Sequence, residues 1–311
     1  MLVRKLRTLR QKLTDRPVVA TPGAALRLER GDLGVLQGAA RVAIVASWSQ
    51  DARMSLSLSR YLHALSECGF TPVVVSVSQV SGPLLWPHGL PDNTVVVRRR
   101  NVGYDFGSWS AALEALPQVR RAKHVLLTND SMAGPFWALD QIVERATQSN
   151  AGLVGLTDTF QIGRSIQSYF MMFNGGILNA PEWRRFFRSV RAQKEKMDYV
   201  WRYELKVAVI AVSGAFGWQI LFPASLVGAL HQNPSLDRWR QLLEQGFPFV
   251  KRTLWTHPDY LDRATQAGAY LERKYSVAVE DWLPPGTPIA DIGGAETNEG
   301  SDAQPNPRRT R

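Results

Sequence analysis

Between residues 41 and 160 the chain alternates short apolar runs with longer amphipathic stretches, and this alternation limits its folds more than any other feature. The runs are "RVAIVASWS" (41–49), "TPVVVSVS" (71–78), "TVVVRRR" (94–100), "HVLLTNDS" from His124, and "AGLVGLTD" (151–158). Each is apolar at successive positions, not at every second one, as strands buried on both faces are. Between them lie helical patterns. "RMSLSLSRYLHALSECGF" (53–70) places Leu56, Leu58, Leu62 and Leu65 before Gly69, a residue suited to ending a helix. "YDFGSWSAALEAL" and "FWALDQIVERATQ" have the same character. The pattern predicts an α/β fold, a mostly parallel sheet flanked by helices. After residue 160 it changes: "SIQSYFMMFN" (165–174) reads as one apolar, aromatic strand, and the chain then becomes helix-rich.

In a parallel sheet of this kind ligands bind beyond the carboxyl ends of the strands. The polar tips here are Ser47-Trp48-Ser49, Arg98-Arg99-Arg100-Asn101, Asn129-Asp130-Ser131 and Thr157-Asp158, and they should face one crevice. Two readings of "TNDSMAGP" stay open. Asn-Asp-Ser before Gly-Pro makes a good turn or helix start. A carboxylate at a strand tip is also placed to hold a divalent ion against a phosphate. The arginine run favours an anion, because guanidinium forks bind phosphate well, although alternate strand residues point to opposite faces. Gly103 suggests a positive φ or a close backbone approach, and Asp105 suits the start of a helix with or without a ligand. There is no Gly-x-Gly-x-x-Gly, Walker phosphate loop, Gly-x-Ser-x-Gly or His-Glu-x-x-His, which weakens dinucleotide oxidoreductase, ATPase, esterase and metalloprotease readings.

The net charge of +10 raises nucleic acid as a partner, but no zinc-finger, helix-turn-helix or aromatic-basic RNA-binding pattern accompanies it, so none is expected. The charge is uneven. Residues 1–16 hold Arg4, Lys5, Arg7, Arg10, Lys12 and Arg16 against Asp15 alone, a net +5, with Leu2, Leu6, Leu9 and Leu13 on one helical stripe. That is either a basic amphipathic helix suited to an anionic membrane surface or a solvated terminus. The single Cys68 allows no disulfide framework. No apolar run is long enough to span a bilayer and no secretory signal is present, so a cytoplasmic protein is expected, peripheral on the inner membrane face if the basic segment binds there. From Pro284 the chain is rich in Pro, Gly and polar residues, and disorder is expected.

Five stretches in order, "RRRNVGYDFGSW", "LLTNDSMAGP", "GLTDTFQIGRSIQSYFMMF", "WRYELKVA" and "HQNPSLDRWRQLLEQGFPFVKRTLW", resemble the rhamnan synthesis protein F family of bacterial polysaccharide glycosyltransferases, over roughly residues 40 to 257. The resemblance implies a GT-A-like fold. It implies a nucleotide-sugar-binding half (41–160) and an acceptor-side half of the same domain (161–283), between the basic amphipathic segment and lead-in (1–40) and the tail (284–311), which lies outside the resemblance. It implies transfer of rhamnose or a related deoxysugar from a nucleotide donor, with a dTDP-sugar favoured, to a surface polysaccharide or lipid-linked glycan. Ser47, Arg100, Asn101, Gly103, Asp105, Asn129, Asp130 and Ser131 would then line the donor site, and Gln167, Ser168 and Tyr169 the acceptor site. The metal motif of GT-A enzymes, usually Asp-x-Asp, stands here as Thr128-Asn129-Asp130. One carboxylate remains for Mg²⁺ or Mn²⁺, with His231 as a second candidate ligand.

An inverting transfer needs a general base at the acceptor hydroxyl and charge stabilisation for the leaving diphosphate. Glu204 in "WRYELK" resembles the acidic residue that begins an acceptor-side helix in related inverting enzymes, and Asp158 is the competing base. Tyr169 has an alternative place in the core with Phe170, Met171, Met172 and Phe173. A rival to the enzyme is a non-catalytic glycan-binding or scaffolding protein on the same fold.

Overall fold

The computed structural model describes residues 16–193 and 196–284. The predicted amphipathic segment, Arg16 excepted, and the predicted tail after Pro284 lie outside the described residues. The core is an eight-stranded sheet. Its strands are β1 (Arg27–Arg30), β2 (Arg41–Ser47), β3 (Thr71–Ser76), β4 (Val95–Arg98), β5 (His124–Asn129), β7 (Leu153–Gly155), β10 (Phe170–Asn174) and β11 (Trp218–Ile220). The spatial order is β1-β4-β3-β2-β5-β10-β7-β11. Strands β4, β3, β2 and β5 are parallel neighbours, as are β7 and β11, while β1 and β10 run the other way. Four two-residue strands complete two ribbons: β6 (Met132–Ala133) with β12 (Val250–Lys251), and β8 (Asp158–Thr159) with β9 (Ser165–Ile166).

The strands have no polar face because both faces are covered. Val42, Ile44 and Ala46 join one core with Phe106, Trp109, Trp183 and Phe186. Ala43 and Val45, on the opposite pleat, join a second core with Leu58, Leu62, Ile142 and Val143. The helices Tyr104–Ala115, Pro181–Arg188 and Leu205–Ser213 cover the first face, and Leu56–Glu67 and Asp140–Thr147 the second. A third core gathers Trp239, Leu243, Val250, Leu254, Trp255 and Leu271 around the C-terminal helices. It is anchored on Ala133, with Phe136 and Trp137 packed against it. The expected α/β class and the helix-rich C-terminal half are both present.

Three local expectations are corrected. The strand expected over 165–174 is two strands with Gln167-Ser168-Tyr169 between them, because β9 pairs outside the sheet with β8 while β10 inserts between β5 and β7. The helix expected from Phe136 begins at Asp140, since Phe136 and Trp137 are drawn into the third core and the Phe136 amide donates to the Pro248 carbonyl at 3.0 Å. The helical run after Pro181 breaks near Val190, where the Val18 amide donates to the Val190 carbonyl at 2.7 Å and Pro17 bridges to Arg191. Strands β1 and β11 and the helix Leu261–Tyr275 had no expectation. Among the described residues no helix is long and apolar enough to cross a membrane.

Two glycines hold the turn after β4. Gly103 has φ +92° and precedes the helix Tyr104–Ala115. A Cβ on Gly107 would sit 2.3 Å from the Val102 carbonyl oxygen, a backbone atom that cannot yield. Gly107→Ala should therefore cost about 2–4 kcal/mol by urea denaturation. Gly82→Ala, with nothing within 4 Å of its Cβ, should stay within about 0.5 kcal/mol of the parent.

Candidate functional site

The sheet changes direction of growth between β2 and β5. From β2 the chain adds β3 and then β4 on one side, and β5 returns on the other. Such a switch point leaves a crevice at the carboxyl ends of the two central strands. Asp130, one residue past β5, spans it. Its Oδ2 accepts from Ser47 Oγ at 2.9 Å and from the Trp48 amide at 3.3 Å, both at the tip of β2. Its Oδ1 faces the Arg252 guanidinium at 3.3 Å, and both side chains of this pair are mostly buried. Arg252 follows β12, and its own amide donates to the Ser131 carbonyl at 3.0 Å. Asp130 caps no helix: the next helix starts ten residues later, at Asp140. The turn expected at this place is present, because Asn129 Oδ1 accepts from the Ser131 amide at 3.1 Å and from Ser131 Oγ at 2.7 Å.

The three arginines at the tip of β4 divide the work. Arg98 donates to the Gly82 carbonyl at 2.6 Å and to the Val80 carbonyl, and pairs with Glu29 at 3.2 Å. Arg99 is buried. It donates from Nε to the Gly23 carbonyl at 3.1 Å, from Nη1 to Ser108 Oγ at 3.0 Å, and from Nη2 to the Val102 carbonyl. Burial pushes its pKa down to about 10. Both guanidiniums are spent on backbone carbonyls that fix the loops around the tip. Arg100 and Asn101 are exposed. Asp105, in the first helical turn, accepts from Asn129 Nδ2 at 2.8 Å, so the tips of β4 and β5 are tied together.

The antiparallel β10 brings the other predicted residues to the same edge. Its last pair with β5 is Phe170 opposite Thr128. Two residues beyond that pair lie Ser168 on the β10 side and Asp130 on the β5 side. Ser168 Oγ donates to Glu204 Oε1. Glu204 closes a π-helical turn, Val200–Glu204, and leads into the helix Leu205–Ser213; such turns are frequent at functional sites. Gln167 and Tyr169 are buried. Gln167 Oε1 accepts from Thr157 Oγ1, which also bonds the Tyr169 hydroxyl, and Gln167 Nε2 donates to Asn233 Oδ1 at 3.0 Å. Burial raises the Tyr169 pKa far above the ordinary phenol range. These two side chains brace the edge, and Ser168, half-buried between them, is the one turned to Glu204. Asp158 is buried with both oxygens engaged: Oδ1 accepts from the Ala224 amide at 2.8 Å and Oδ2 from Arg164 Nε at 3.3 Å. His231 is exposed on the loop before Asn233.

A divalent ion of the Mg²⁺ or Mn²⁺ kind takes oxygen ligands, commonly one or two carboxylates with the substrate's phosphates. The residues here do not fit one. One Asp130 oxygen is taken by Ser47 and Trp48 and the other faces a guanidinium. Among the described residues no three His, Cys, Asp or Glu side chains gather into a ligand set. The cation present at the carboxylate is Arg252.

Arg252 and the exposed Trp48 were not assigned roles from sequence. Arg252 had a signal in the distinctive "GFPFVKR" stretch, but its partner is 122 positions away. Comparison with known proteins gives four findings. The model of the family described as rhamnan synthesis protein F matches residues 88–277, more than half of the chain; against the stretch expected from sequence it starts later, so that β2 and β3 lie outside it, and it reaches further, into the helix Leu261–Tyr275. Virulence protein VirA of Vibrio anguillarum is 27% identical over 213 residues, 58% of this chain and 68% of VirA. An uncharacterized protein of Sinorhizobium fredii is 21% identical over 170 residues, 52% of this chain and 44% of that one. Among solved structures, the glycosyltransferase GlyE of Streptococcus pneumoniae overlaps 67% of this chain at 10% identity with a TM-score of 0.33, and the chain spans about half the length of GlyE (50%).

If the junction at Asp130 couples the strand tips to the C-terminal part, Asp130→Asn and Arg252→Gln should not act independently. A double-mutant cycle in urea should give a coupling of about 1–3 kcal/mol. Additive effects would show that the pair contributes nothing.

Proposed function

The chain belongs to the rhamnan synthesis protein F family, and from that premise we propose that it is a glycosyltransferase of polysaccharide synthesis using a nucleoside diphosphate sugar. One observation carries the reading: stretches far apart in sequence converge on one strand-tip crevice. Asp130 of "LLTNDS" holds Arg252 of "GFPFVKR", Asn129 holds Asp105 of "NVGYDFG", and Gln167 holds Asn233 of "HQNP".

The donor lies over the tips of β2, β4 and β5. Trp48, 42% exposed, offers a ring face for the nucleobase. Arg100 and Arg252 supply positive charge to the diphosphate, so that charge developing on the leaving group meets preorganised donors. Asp130 orients Arg252, and no step runs through a metal ion. Glu204, held by Ser168, takes the proton from the acceptor hydroxyl as that oxygen attacks the anomeric carbon. The bond to the diphosphate breaks on the opposite face, which makes the reaction inverting. The Ser168 hydrogen bond fixes the position of the carboxylate. The sugar we favour is rhamnose or a related deoxysugar on dTDP, and the acceptor a surface polysaccharide or a lipid-linked glycan.

The test is a panel of sugar nucleotides assayed with Mn²⁺, with Mg²⁺ and with EDTA. Turnover should survive EDTA, and loss of all turnover on chelation would contradict the arginine assignment. Glu204→Gln should lower kcat by about 10²- to 10⁴-fold and leave donor affinity by calorimetry unchanged. Trp48→Ala should weaken donor binding by about tenfold or more. If no sugar nucleotide binds the parent protein, the transferase reading fails and the non-catalytic glycan-binding alternative replaces it.

A further inference from the structure

The helix Leu205–Ser213 reads LKVAVIAVS, apolar on nearly every side. A helix of that composition is ordinarily covered all round. Here Val207, Ala208 and Ala211 face the core. Val209 and Val212 are 61% and 64% exposed, and Trp201, in the turn before, is 56% exposed. Val209 and Val212 are three residues apart and share a face, with Arg202 and Lys206 exposed along its rim. The helix Pro181–Arg188 packs on the same face of the sheet, so its outer side points the same way, and it carries Arg184 and Arg185 exposed. Acidic groups in this layer are fewer: Glu182 is exposed, Asp198 and Glu204 are half-buried, and Glu114 is held by Arg188 at 2.8 Å.

Where the chain enters this layer is also defined. Pro17 bridges to Arg191, and the Arg191 amide donates to the Tyr203 hydroxyl at 2.8 Å. The described chain therefore begins close to the turn that carries Trp201. With Arg16, residues 1–15 hold a net +5 and four leucines at helical spacing.

We propose that the outer face of the helix Leu205–Ser213, with Trp201 and its basic rim, docks the protein on an anionic lipid bilayer. Three occupants could cover an apolar face. A second copy in a two-fold contact would set Arg202 and Lys206 against themselves. Residues 1–15 are basic too, so packing them here would bring like charges together. An anionic headgroup layer suits both basic groups, and Trp201, Val209 and Val212 reach the acyl boundary beneath it. Residues of the docked face lie on both sides of Glu204 in sequence, Trp201 and Arg202 before it and Lys206, Val209 and Val212 after it, which sets the proposed acceptor side close to the bilayer. This inference goes beyond the transferase reading and needs no donor, so either can fail alone.

The experiment is co-sedimentation of the full chain with vesicles of phosphatidylcholine alone and of equal parts phosphatidylcholine and phosphatidylglycerol, without nucleotide. The parent protein should bind the second and not the first, and added salt should weaken binding. Val209→Ser with Val212→Ser should cut partition by about tenfold, and Arg202→Glu with Lys206→Glu by at least as much. Circular dichroism and donor affinity should stay unchanged in both variants. Deleting residues 1–15 should lower partition further. The proposal is overturned if the parent does not bind anionic vesicles, or if the valine variant binds as well as the parent. It is overturned equally if light scattering finds a dimer that the valine substitutions dissolve, or if the deletion raises binding.

Discussion

The contact on which the site depends is a single carboxylate at the switch point of the sheet. Asp130 receives the hydroxyl and amide at the tip of β2 on one oxygen and the Arg252 guanidinium on the other. Three parts of the chain separated by more than eighty positions each meet in that group. The pairing is well shielded, so its Coulomb attraction is stronger than that of an exposed ion pair, and removing either partner would leave the other buried without compensation. The ribbon of β6 and β12 sets the distance: Arg252 can reach Asp130 because Val250 and Lys251 lie in register with Ala133 and Met132. The third core, which packs on Ala133, Phe136 and Trp137, holds that ribbon in place.

Much of the sheet is legible in the sequence for a simple reason. Strands β2, β3, β4 and β5 are buried on both faces, so successive valines and leucines mark them without knowledge of their neighbours. Features set by distant partners are not legible in this way. "WQI" at β11 is too short to stand out. Gln167-Ser168-Tyr169 looks like the middle of a strand and is the break in one, because β9 and β10 pair with different partners. The arginine run at the tip of β4 reads as a phosphate site. Two of its three side chains are instead consumed by backbone carbonyls of loops between 3 and 76 positions away. The crevice itself was foreseeable from the alternation of elements, whereas the cation opposite Asp130 was not, since nothing local to "NDS" points to residue 252.

The proposed acceptor side follows from the reversal of β10. An antiparallel strand beside β5 turns its amino end toward the same edge at which the parallel strands finish. Ser168 and, through it, Glu204 thereby come to the edge that carries Asp130. The helix that follows Glu204 faces outward from the first core, so one element joins the proposed chemistry to the proposed lipid surface.

The account rests on the strand-tip crevice being the donor site, and amide hydrogen exchange measured with and without a saturating sugar nucleotide tests this most directly. Protection should appear in peptides covering 47–51, 100–105 and 129–132, the tips of β2, β4 and β5. A donor that binds yet leaves these three segments unprotected, or protects only segments elsewhere, would contradict it.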